Sequence, residues 1–219
     1  MLNIAIDGPS GSGKSTVASC LAKRFNILHL DTGAMYRACA LAAVKRNVDC
    51  LCEDKICEFI KDIDLEIKYA DGKQVTILEG VDVSNEIRNN EVSLMASSIS
   101  SLKCVREKMV EMQRQVALKN HCIMDGRDIG TVVLPNASHK FFLTASAEVR
   151  AERRHKELAL KGQNVDYESL LKEINLRDYN DSHREIAPLK KADDAHLIDS
   201  SNLSVDQVVD FIVSIIEQG

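Results

Sequence analysis

The strongest constraint on the fold of this chain is the glycine-rich stretch from Gly8 to Ser15, which reads GPSGSGKS. It fits the phosphate-binding P-loop pattern, in which two spaced glycines precede lysine and serine. An apolar run, Leu2 to Ile6, precedes the stretch, and an amphipathic segment that extends to Phe25 follows it. A buried strand, a phosphate loop and a helix in this order predict a βα unit with an anion site at the helix N-terminus.

The same motif predicts how a triphosphate is held. Glycine lets backbone N–H groups turn inward around phosphate oxygens, and the following helix adds its partial positive charge. Lys14 is expected to reach the β- and γ-phosphates, and Ser15 is expected to ligate Mg²⁺. The chain is therefore predicted to bind a nucleoside triphosphate, and the open question is what receives the phosphoryl group.

Composition argues against several other classes of function. The 219 residues suffice for one α/β domain with a small insertion, and a hydrophobic content of 45% allows an ordinary core. The net charge of −5 gives no reason to expect nucleic acid or an anionic membrane surface as a partner. The first strand is predicted almost at Met1, without a signal segment ahead of it, and no apolar run approaches the ~20 residues of a membrane span. A cytoplasmic protein is expected.

The seven cysteines indicate no obvious metal site or disulfide framework. Cys50, Cys52 and Cys57 cluster, but no second pair of cysteine or histidine completes a zinc spacing. The sequence therefore favours reduced thiols that pack as small apolar residues.

A second informative stretch, DTGAMYR, lies where a short strand gives way to a helix. The residues from Ile27 to Leu30 predict the strand, and the helix is predicted from Ala34 to Lys45. Ligands of open α/β sheets gather at the carboxyl ends of strands, which makes the polar residues of this junction candidates. They are Thr32, Tyr36 and Arg37. Arg37 could hold an anion or lie on the solvated surface, and the pattern favours neither.

A helix is predicted over residues 53–63. After it, the spacing of the apolar residues changes from the helical period to the alternation that is typical of a strand. Leu65, Ile67 and Tyr69 alternate with polar residues, an Asp-Gly turn follows at residues 70–73, and a second alternating run comes after it. This pattern predicts a β-hairpin. An antiparallel hairpin within a series of βαβ units indicates an inserted subdomain.

A charged loop, DGRDIG, follows the apolar strand predicted from His121 to Met124. Its first residue, Asp125, resembles the acidic residue that ends many P-loop strands and helps to hold Mg²⁺. The alternative is a plain turn, because Asp-Gly is a common turn pair. The predicted strand points at the P-loop end of the sheet, which favours the functional interpretation.

Two helices rich in charge follow the strand predicted at residues 140–144. The first carries Arg150, Arg153 and Arg154 on one face, and the second is predicted from Tyr167 to Tyr179. After a P-loop core, such an arginine-rich helical hairpin is typical of a lid that meets triphosphate charge when it closes. The alternative is a solvated helix pair, since acidic residues lie among the arginines.

Five short apolar strands separated by helices predict a parallel sheet with helices on both faces. Three classes of function remain open at this point: a small-molecule phosphotransferase, a GTPase switch, and an ATP-dependent motor or regulator. The guanine-binding Asn-Lys-x-Asp motif is missing, and so is the long apolar strand ending in Asp-Glu that is usual in motors. The phosphotransferase class also explains the inserted hairpin and the predicted lid.

Several segments together resemble the bacterial cytidylate kinase family, nearly from end to end. They are GPSGSGKST, DTGAMYR, the hairpin followed by LEGVDVSNEIR, MDGRDIGTVVLPNA, and RDYNDSHREIAPLKKADDAHLIDSS. The resemblance implies one kinase domain over residues 1–219, an α/β three-layer sandwich of the P-loop NTPase type with a five-stranded parallel sheet. It also implies a helical lid at about residues 150–170 and a monophosphate-binding subdomain at about residues 32–105, with a small antiparallel β insert at about residues 64–90.

The resemblance assigns a role to each candidate site residue. The residues expected to hold ATP are Gly8, Pro9, Ser10, Gly11, Ser12, Gly13, Lys14, Ser15, Thr16 and the lid residue Arg154. Those expected to hold CMP are Arg37, Arg127 and Arg184 at the phosphate, Arg177 and Asp181 at the ribose, Ser97, Arg106 and Asp128 at the base, and Thr32. Lys14, Arg127, Asp128 and Arg184 are expected to serve catalysis.

The implied activity is transfer of the γ-phosphoryl group of ATP to CMP or dCMP, with Mg²⁺ as cofactor. Cytosine presents an N4 amino donor, which Asp128 could accept, beside two acceptors that Arg106 and Ser97 could meet. UMP reverses this pattern and is predicted to be a poor acceptor. A monomer that binds neither nucleic acid nor membrane is expected. Another small-molecule kinase and an ATP-binding regulator without turnover are the alternatives.

Overall fold

The fold was analysed in a computed structural model, which describes residues 1–49, 52–70, 72–160 and 162–218. The chain divides into two compact units. The first unit combines Met1–Ile27 with Ile123–Gly219, and the second is the intervening segment, Leu28–Cys122. In the part of the chain that the structure describes, no helix is both long enough and apolar enough to cross a membrane.

Strands and helices alternate along most of the chain. The strands are β1 (Asn3–Asp7), β2 (Leu28–Asp31), β3 (Leu65–Ala70), β4 (Lys73–Leu78), β5 (Val81–Asp82), β6 (Cys122–Gly126), β7 (His139–Thr144) and β8 (His196–Asp199). The α-helices are α1 (Lys14–Phe25), α2 (Thr32–Lys45), α3 (Glu53–Phe59), α4 (Asn90–Ile99), α5 (Lys103–Lys119), α6 (Ala147–Leu160), α7 (Tyr167–His183) and α8 (Val205–Gln218). Short 3₁₀ turns occur at Ile60–Asp62 and Glu86–Arg88, and a π-helical turn at Ile129–Val133.

The strands form two sheets. The central sheet has the strand order β2-β6-β1-β7-β8, with β1 parallel to β7 and β7 parallel to β8. The other sheet has the order β3-β4-β5 and is antiparallel. The predicted α/β class, with a five-stranded parallel sheet and a small antiparallel insert, is therefore confirmed.

The core of the first unit explains why the P-loop lies where it does. Ile4 and Ile6 of β1 have no exposed surface, as expected for a parallel strand that is covered on both faces. The apolar stripe of α1 and that of α8 join the same hydrophobic cluster, with members Val17, Ala18, Leu21, Val208, Val209, Ile212 and Val213. Burial of each large side chain contributes about 1.5–3 kcal/mol. This packing fixes both ends of the loop that connects β1 to α1.

In the second unit, helix α2 begins earlier than predicted. The helix was expected from Ala34, but it begins at Thr32, with Gly33 in its first turn. The reason is a side-chain cap, because the Asp31 carboxylate accepts a hydrogen bond from the Ala34 amide at 3.0 Å. Thr32 is thereby placed in a helical turn directly after β2.

The predicted β-hairpin is present in the second unit. Leu65 of β3 faces Leu78 of β4, and the register continues to Ala70, which faces Lys73. Of the predicted Asp-Gly turn, Asp71 lies outside the described residues, while Gly72 has a φ of +70°, the conformation that such turns require.

A disulfide corrects the prediction that the cysteines are reduced. Cys57 of α3 is bonded to Cys104 of α5, with 5.5 Å between their Cα atoms. The sequence interpretation was wrong for this pair because the two cysteines are 47 residues apart and only tertiary packing brings them together. Cys52, which the sequence grouped with Cys57, is free, and Cys50 lies outside the described residues.

Breaking this disulfide is expected to destabilise the second unit. In the chain-entropy description, a cross-link that closes a loop of this length contributes about 4 kcal/mol to the free energy of unfolding. We expect Cys57→Ser to lower the urea midpoint of unfolding under non-reducing conditions. As the control, a thiol reductant, which breaks the same bond, should lower the midpoint of the unsubstituted protein by a similar amount and that of Cys57→Ser very little. A Cys57→Ser protein as stable as the unsubstituted protein would contradict the prediction.

Candidate active site

Two glycines give the P-loop its shape. Gly8 has a φ of +147°, and a β carbon at this position would overlap the carbonyl oxygen of Leu143 in β7. Gly13, immediately before α1, has a φ of +93°. Both backbone conformations disfavour side chains, and at Gly8 the neighbouring strand leaves no space for one. The loop therefore needs glycine for packing as well as for its approach to a ligand.

Lys14 is a buried cation at the start of α1. Its side chain lies under the loop, where Nζ donates a hydrogen bond to the carbonyl oxygen of Pro9 at 2.6 Å. Burial, and then the nearby positive charge of Arg127, lowers the pKa of Lys14 to about 7. Because the group lacks full compensation for its charge, a phosphate beside Nζ would supply the missing counter-charge.

Ser15 and Asp125 form an oxygen pair beside Lys14. The Ser15 hydroxyl donates to Oδ2 of Asp125 at 2.7 Å, and Asp125, at the end of β6, is buried. Among the described residues, no group of three or more histidine, cysteine or acidic side chains could hold a metal ion by itself. Mg²⁺ in phosphoryl-transfer sites takes one or two protein oxygens, and substrate phosphates and water complete its shell. The donor set therefore fits Mg²⁺ bound together with a nucleotide.

Asp7 is a site residue that the sequence analysis missed. Its buried carboxylate accepts hydrogen bonds from the amides of Ile129 and Gly130, each at 2.7 Å. Burial raises the pKa of Asp7 to about 6, although the two amide bonds oppose this shift. A carboxylate that ends an apolar strand, directly before the P-loop, was the available signal. By fixing the turn after β6, Asp7 also fixes the position of Asp128.

A cluster of arginines and aspartates lies around the same turn. Arg127 Nε donates to Asp181 Oδ2 at 2.7 Å, and Arg184 Nη2 lies 3.6 Å from Asp128 Oδ1. Burial opposes ionisation of Asp181, but the neighbouring arginines, Arg127 foremost, hold the pKa of this carboxyl below its usual value. The charge of Arg177 acts on both Asp181 and Lys14. Within the first unit, therefore, the positive charges of Arg127 and Arg177 lie near that of Lys14.

The arginines of the predicted lid are held in different ways. Arg150 is buried and donates to the carbonyl oxygens of Ala145 and of Ser10 in the P-loop, and to Asp178 of α7. Arg153 donates to the carbonyl oxygen of Ser200 at 2.6 Å. Arg154, the predicted ATP contact, pairs with Glu157 on its own helix at 2.9 Å. Arg150 thus binds the backbone of the P-loop at Ser10, and its spacing along the helix did not predict this contact.

In the second unit, Arg37 is oriented by Asp31. Arg37 Nη2 donates to Asp31 Oδ2 at 2.9 Å, while its buried Nε atom has no hydrogen-bond partner among the described residues. A buried donor without a partner costs about 1–3 kcal/mol, and an anionic ligand would remove this penalty. This geometry favours the anion-binding interpretation of Arg37 over a solvated surface arginine.

Ser97 and Arg106, the predicted base-reading residues of this unit, are linked through Ser100 at the junction of α4 and α5. The buried guanidinium of Arg106 donates to the Ser100 carbonyl oxygen at 3.2 Å and lies 5.8 Å from the centre of the Tyr36 ring. The Ser100 hydroxyl in turn donates to the carbonyl oxygen of Ser97 at 2.8 Å. Of these contacts, only the one between Arg106 and Tyr36 joins residues that are distant in sequence.

Comparison with known proteins identifies the family. The Cytidylate kinase family matches residues 4–218. A cytidylate kinase from Caldicellulosiruptor bescii is 50% identical over 214 residues, which cover 98% of this chain and 95% of that protein. A cytidylate kinase from Bacillus subtilis is 48% identical over 217 residues, which cover 99% of this chain and 97% of that protein.

A solved structure supports the fold alone. An uncharacterized protein from Eubacterium ventriosum aligns with a TM-score of 0.54 and 15% identity, over 100% of this chain and 99% of that chain. The two cytidylate kinases, by contrast, match nearly the whole chain at 50% and 48% sequence identity. The chain belongs to the cytidylate kinase family, the enzymes that transfer a phosphoryl group from ATP to CMP or dCMP.

Proposed function

We propose that the chain phosphorylates CMP and dCMP through the residues described above, with ATP on the P-loop. The observation that carries this proposal is the grouping of Lys14 with Arg127 and Arg177, beside the oxygen pair of Ser15 and Asp125. Phosphoryl transfer needs in-line positioning and neutralisation of charge on the equatorial oxygens rather than a nucleophilic side chain. The grouped cations suit such a transition state.

Mg²⁺ is proposed as the cofactor, held by Ser15 and Asp125 together with the phosphates of ATP. The ion would neutralise the β- and γ-phosphate charge. Lys14 reaches the transferring group, and the loop from Gly8 to Thr16 cradles the triphosphate with the backbone N–H groups of its residues other than Pro9. Arg154 is proposed to leave Glu157 and bind ATP when the lid closes.

The acceptor is proposed to be held at its phosphate, ribose and base by different groups. Arginines bind the phosphate in bidentate fashion, which fixes the attacking oxygen. That oxygen is ionised at neutral pH, so the reaction requires no general base. The proposed contacts are Arg37, Arg127 and Arg184 for the phosphate, Arg177 and Asp181 for the ribose, Ser97, Arg106 and Asp128 for cytosine, and Thr32 beside them.

The organisation of the enzyme is also part of the proposal. Residues 1–219 act as one kinase domain, with monophosphate binding at about residues 32–105, the β insert at about residues 64–90 and the lid at about residues 150–170. The enzyme is a cytoplasmic monomer that works on small molecules, without nucleic acid or membrane as partner.

The test is an ADP-release assay with Mg·ATP and one monophosphate at a time: CMP, dCMP, UMP, AMP, GMP or dTMP. We expect CMP and dCMP to exceed UMP in kcat/KM by roughly 10⁴-fold, because UMP leaves the base-reading groups unpaired. Preference for another monophosphate would contradict the base contacts but not the phosphate site. ATP binding without acceptor-dependent turnover would instead indicate an ATP-binding regulator.

A further inference from the structure

One side chain of the antiparallel insert, Gln74, contacts Asp31, the residue that binds Arg37 in the second unit. This glutamine lies on β4, near the start of the strand. Its amide oxygen accepts a hydrogen bond from the Asp31 backbone N–H at 2.7 Å, and its amide nitrogen donates to the Asp31 carbonyl oxygen at 3.3 Å. The side chain thus engages both backbone groups of a single residue.

Asp31 needs such a partner because it is the last residue of β2, which is an edge strand. An edge strand exposes backbone N–H and C=O groups that a neighbouring strand would otherwise satisfy. The terminal amide of glutamine has the same donor and acceptor as a peptide group and can replace one rung of the missing ladder. Gln74 therefore fixes the backbone of Asp31 without extending the sheet.

The carboxylate of Asp31 makes two further interactions. Oδ1 caps α2 by accepting from the Ala34 amide, and Oδ2 accepts from Arg37 at 2.9 Å. Gly33 makes room for this arrangement, because a β carbon there would lie 3.0 Å from Arg37 Nη1 and 3.1 Å from Asp31 Oδ1. The position of the Arg37 guanidinium thus depends on Asp31, and that of Asp31 on Gln74.

We infer that Gln74 is a positioning residue for the acceptor phosphate, through which the β insert sets the orientation of Arg37. The insert then has a function in substrate binding in addition to its contribution to stability. The chain of contacts runs from Gln74 to the Asp31 backbone, from the Asp31 carboxylate to Arg37, and from Arg37 to the phosphate of the monophosphate. The last step rests on the proposed function, whereas the first two do not.

The kinetic test uses Gln74→Met, which preserves side-chain length and removes both hydrogen bonds. We expect the KM for CMP to rise about tenfold and the KM for ATP to stay unchanged. The reason is that the two hydrogen bonds that hold the Asp31 backbone, and through it the Arg37 guanidinium, are lost. In an Arg37→Ala background the same substitution should change the KM for CMP less than about twofold, because its route of action is absent. An equal effect in both backgrounds would overturn the inference. Lys68→Ala, an exposed change on β3, is the matched control and should have no effect.

A second measurement separates failure of the inference from failure of the proposed function. Hydrogen exchange at the Asp31 amide requires no substrate, and we expect Gln74→Met to accelerate it at least tenfold while Lys68→Ala leaves it unchanged. If Gln74→Met does not fold, Gln74→Leu, which also removes both hydrogen bonds to Asp31, takes its place in the same two assays with the same expected results. Unchanged exchange would overturn the anchoring role whatever the acceptor nucleotide is, whereas lack of CMP turnover in the unsubstituted enzyme would contradict only the proposed function.

Discussion

Replacing Lys14 with alanine is expected to lower kcat by about 10³-fold or more while the protein stays folded. The ammonium group is buried beneath the P-loop, and its nearest hydrogen-bond partner is the carbonyl oxygen of Pro9. In the proposed reaction it neutralises charge on the transferring phosphoryl group, and loss of one such preorganised group typically costs 10²–10³-fold or more. A loss of 10³-fold corresponds to about 4 kcal/mol of transition-state stabilisation.

The measurement compares kcat, ATP affinity and thermal stability with those of Lys23→Ala, an exposed lysine on the same helix. The control should match the unsubstituted enzyme in all three quantities. Because burial lowers the pKa of Lys14 to about 7 and so disfavours its charged form in the folded protein, its removal should not lower stability, which separates a catalytic loss from unfolding. A Lys14→Ala enzyme that retains more than about a tenth of the original kcat would contradict the placement of this lysine on the transferring group.

Replacing Asp128 with asparagine is expected to reduce the preference for CMP over UMP by roughly 10²-fold or more. The carboxylate can accept from the N4 amino group of cytosine, whereas an asparagine amide can also donate to O4 of uracil. A site that is built around a substrate hydrogen bond loses most of its selectivity when that bond is removed. The change should come mainly from a fall in kcat/KM for CMP.

The position of Asp128 beside Arg184 adds a second effect to this experiment. Their charged groups are 3.6 Å apart, so Asp128→Asn also alters the surroundings of an arginine that is proposed to bind the acceptor phosphate. That effect is common to CMP and UMP and cancels in the ratio of their kcat/KM values. Asp193→Asn, an exposed carboxylate elsewhere in the first unit, is the matched control. An unchanged CMP/UMP ratio would remove Asp128 from base reading.

Local patterns in the sequence were sufficient to predict the elements on which the site is built. The P-loop could be read because phosphate binding needs glycine, lysine and serine at a fixed spacing after a buried strand. The hairpin could be read because the hydrophobic period changes from helical to alternating at Leu65. In each case the physical requirement acts on residues that are close in the chain, so it leaves a pattern that can be recognised without a structure.

Contacts between distant residues left no such pattern. The disulfide joins Cys57 and Cys104, which no spacing rule connects, and the reduced state predicted from composition was wrong for them. The sequence grouped Arg150 with the lid arginines. In the structure, its guanidinium, on α6, donates a hydrogen bond to the backbone of the P-loop at Ser10. Gln74 is one polar residue in an alternating strand, and only the position of β4 beside Asp31 gives it significance.

The α/β class, the P-loop and the resemblance to cytidylate kinases could all be inferred before folding was considered, because each depends on the order and spacing of residue types along the chain. Folding sets which groups lie together: Asp7 accepts from the turn after β6, Asp125 accepts from the Ser15 hydroxyl, and Asp31 accepts from Arg37. These partners come from separate strands and helices, and the free energy of a buried charge depends on the groups that packing brings to it. A side chain that looks ordinary in the sequence can therefore become part of the site once the chain has folded.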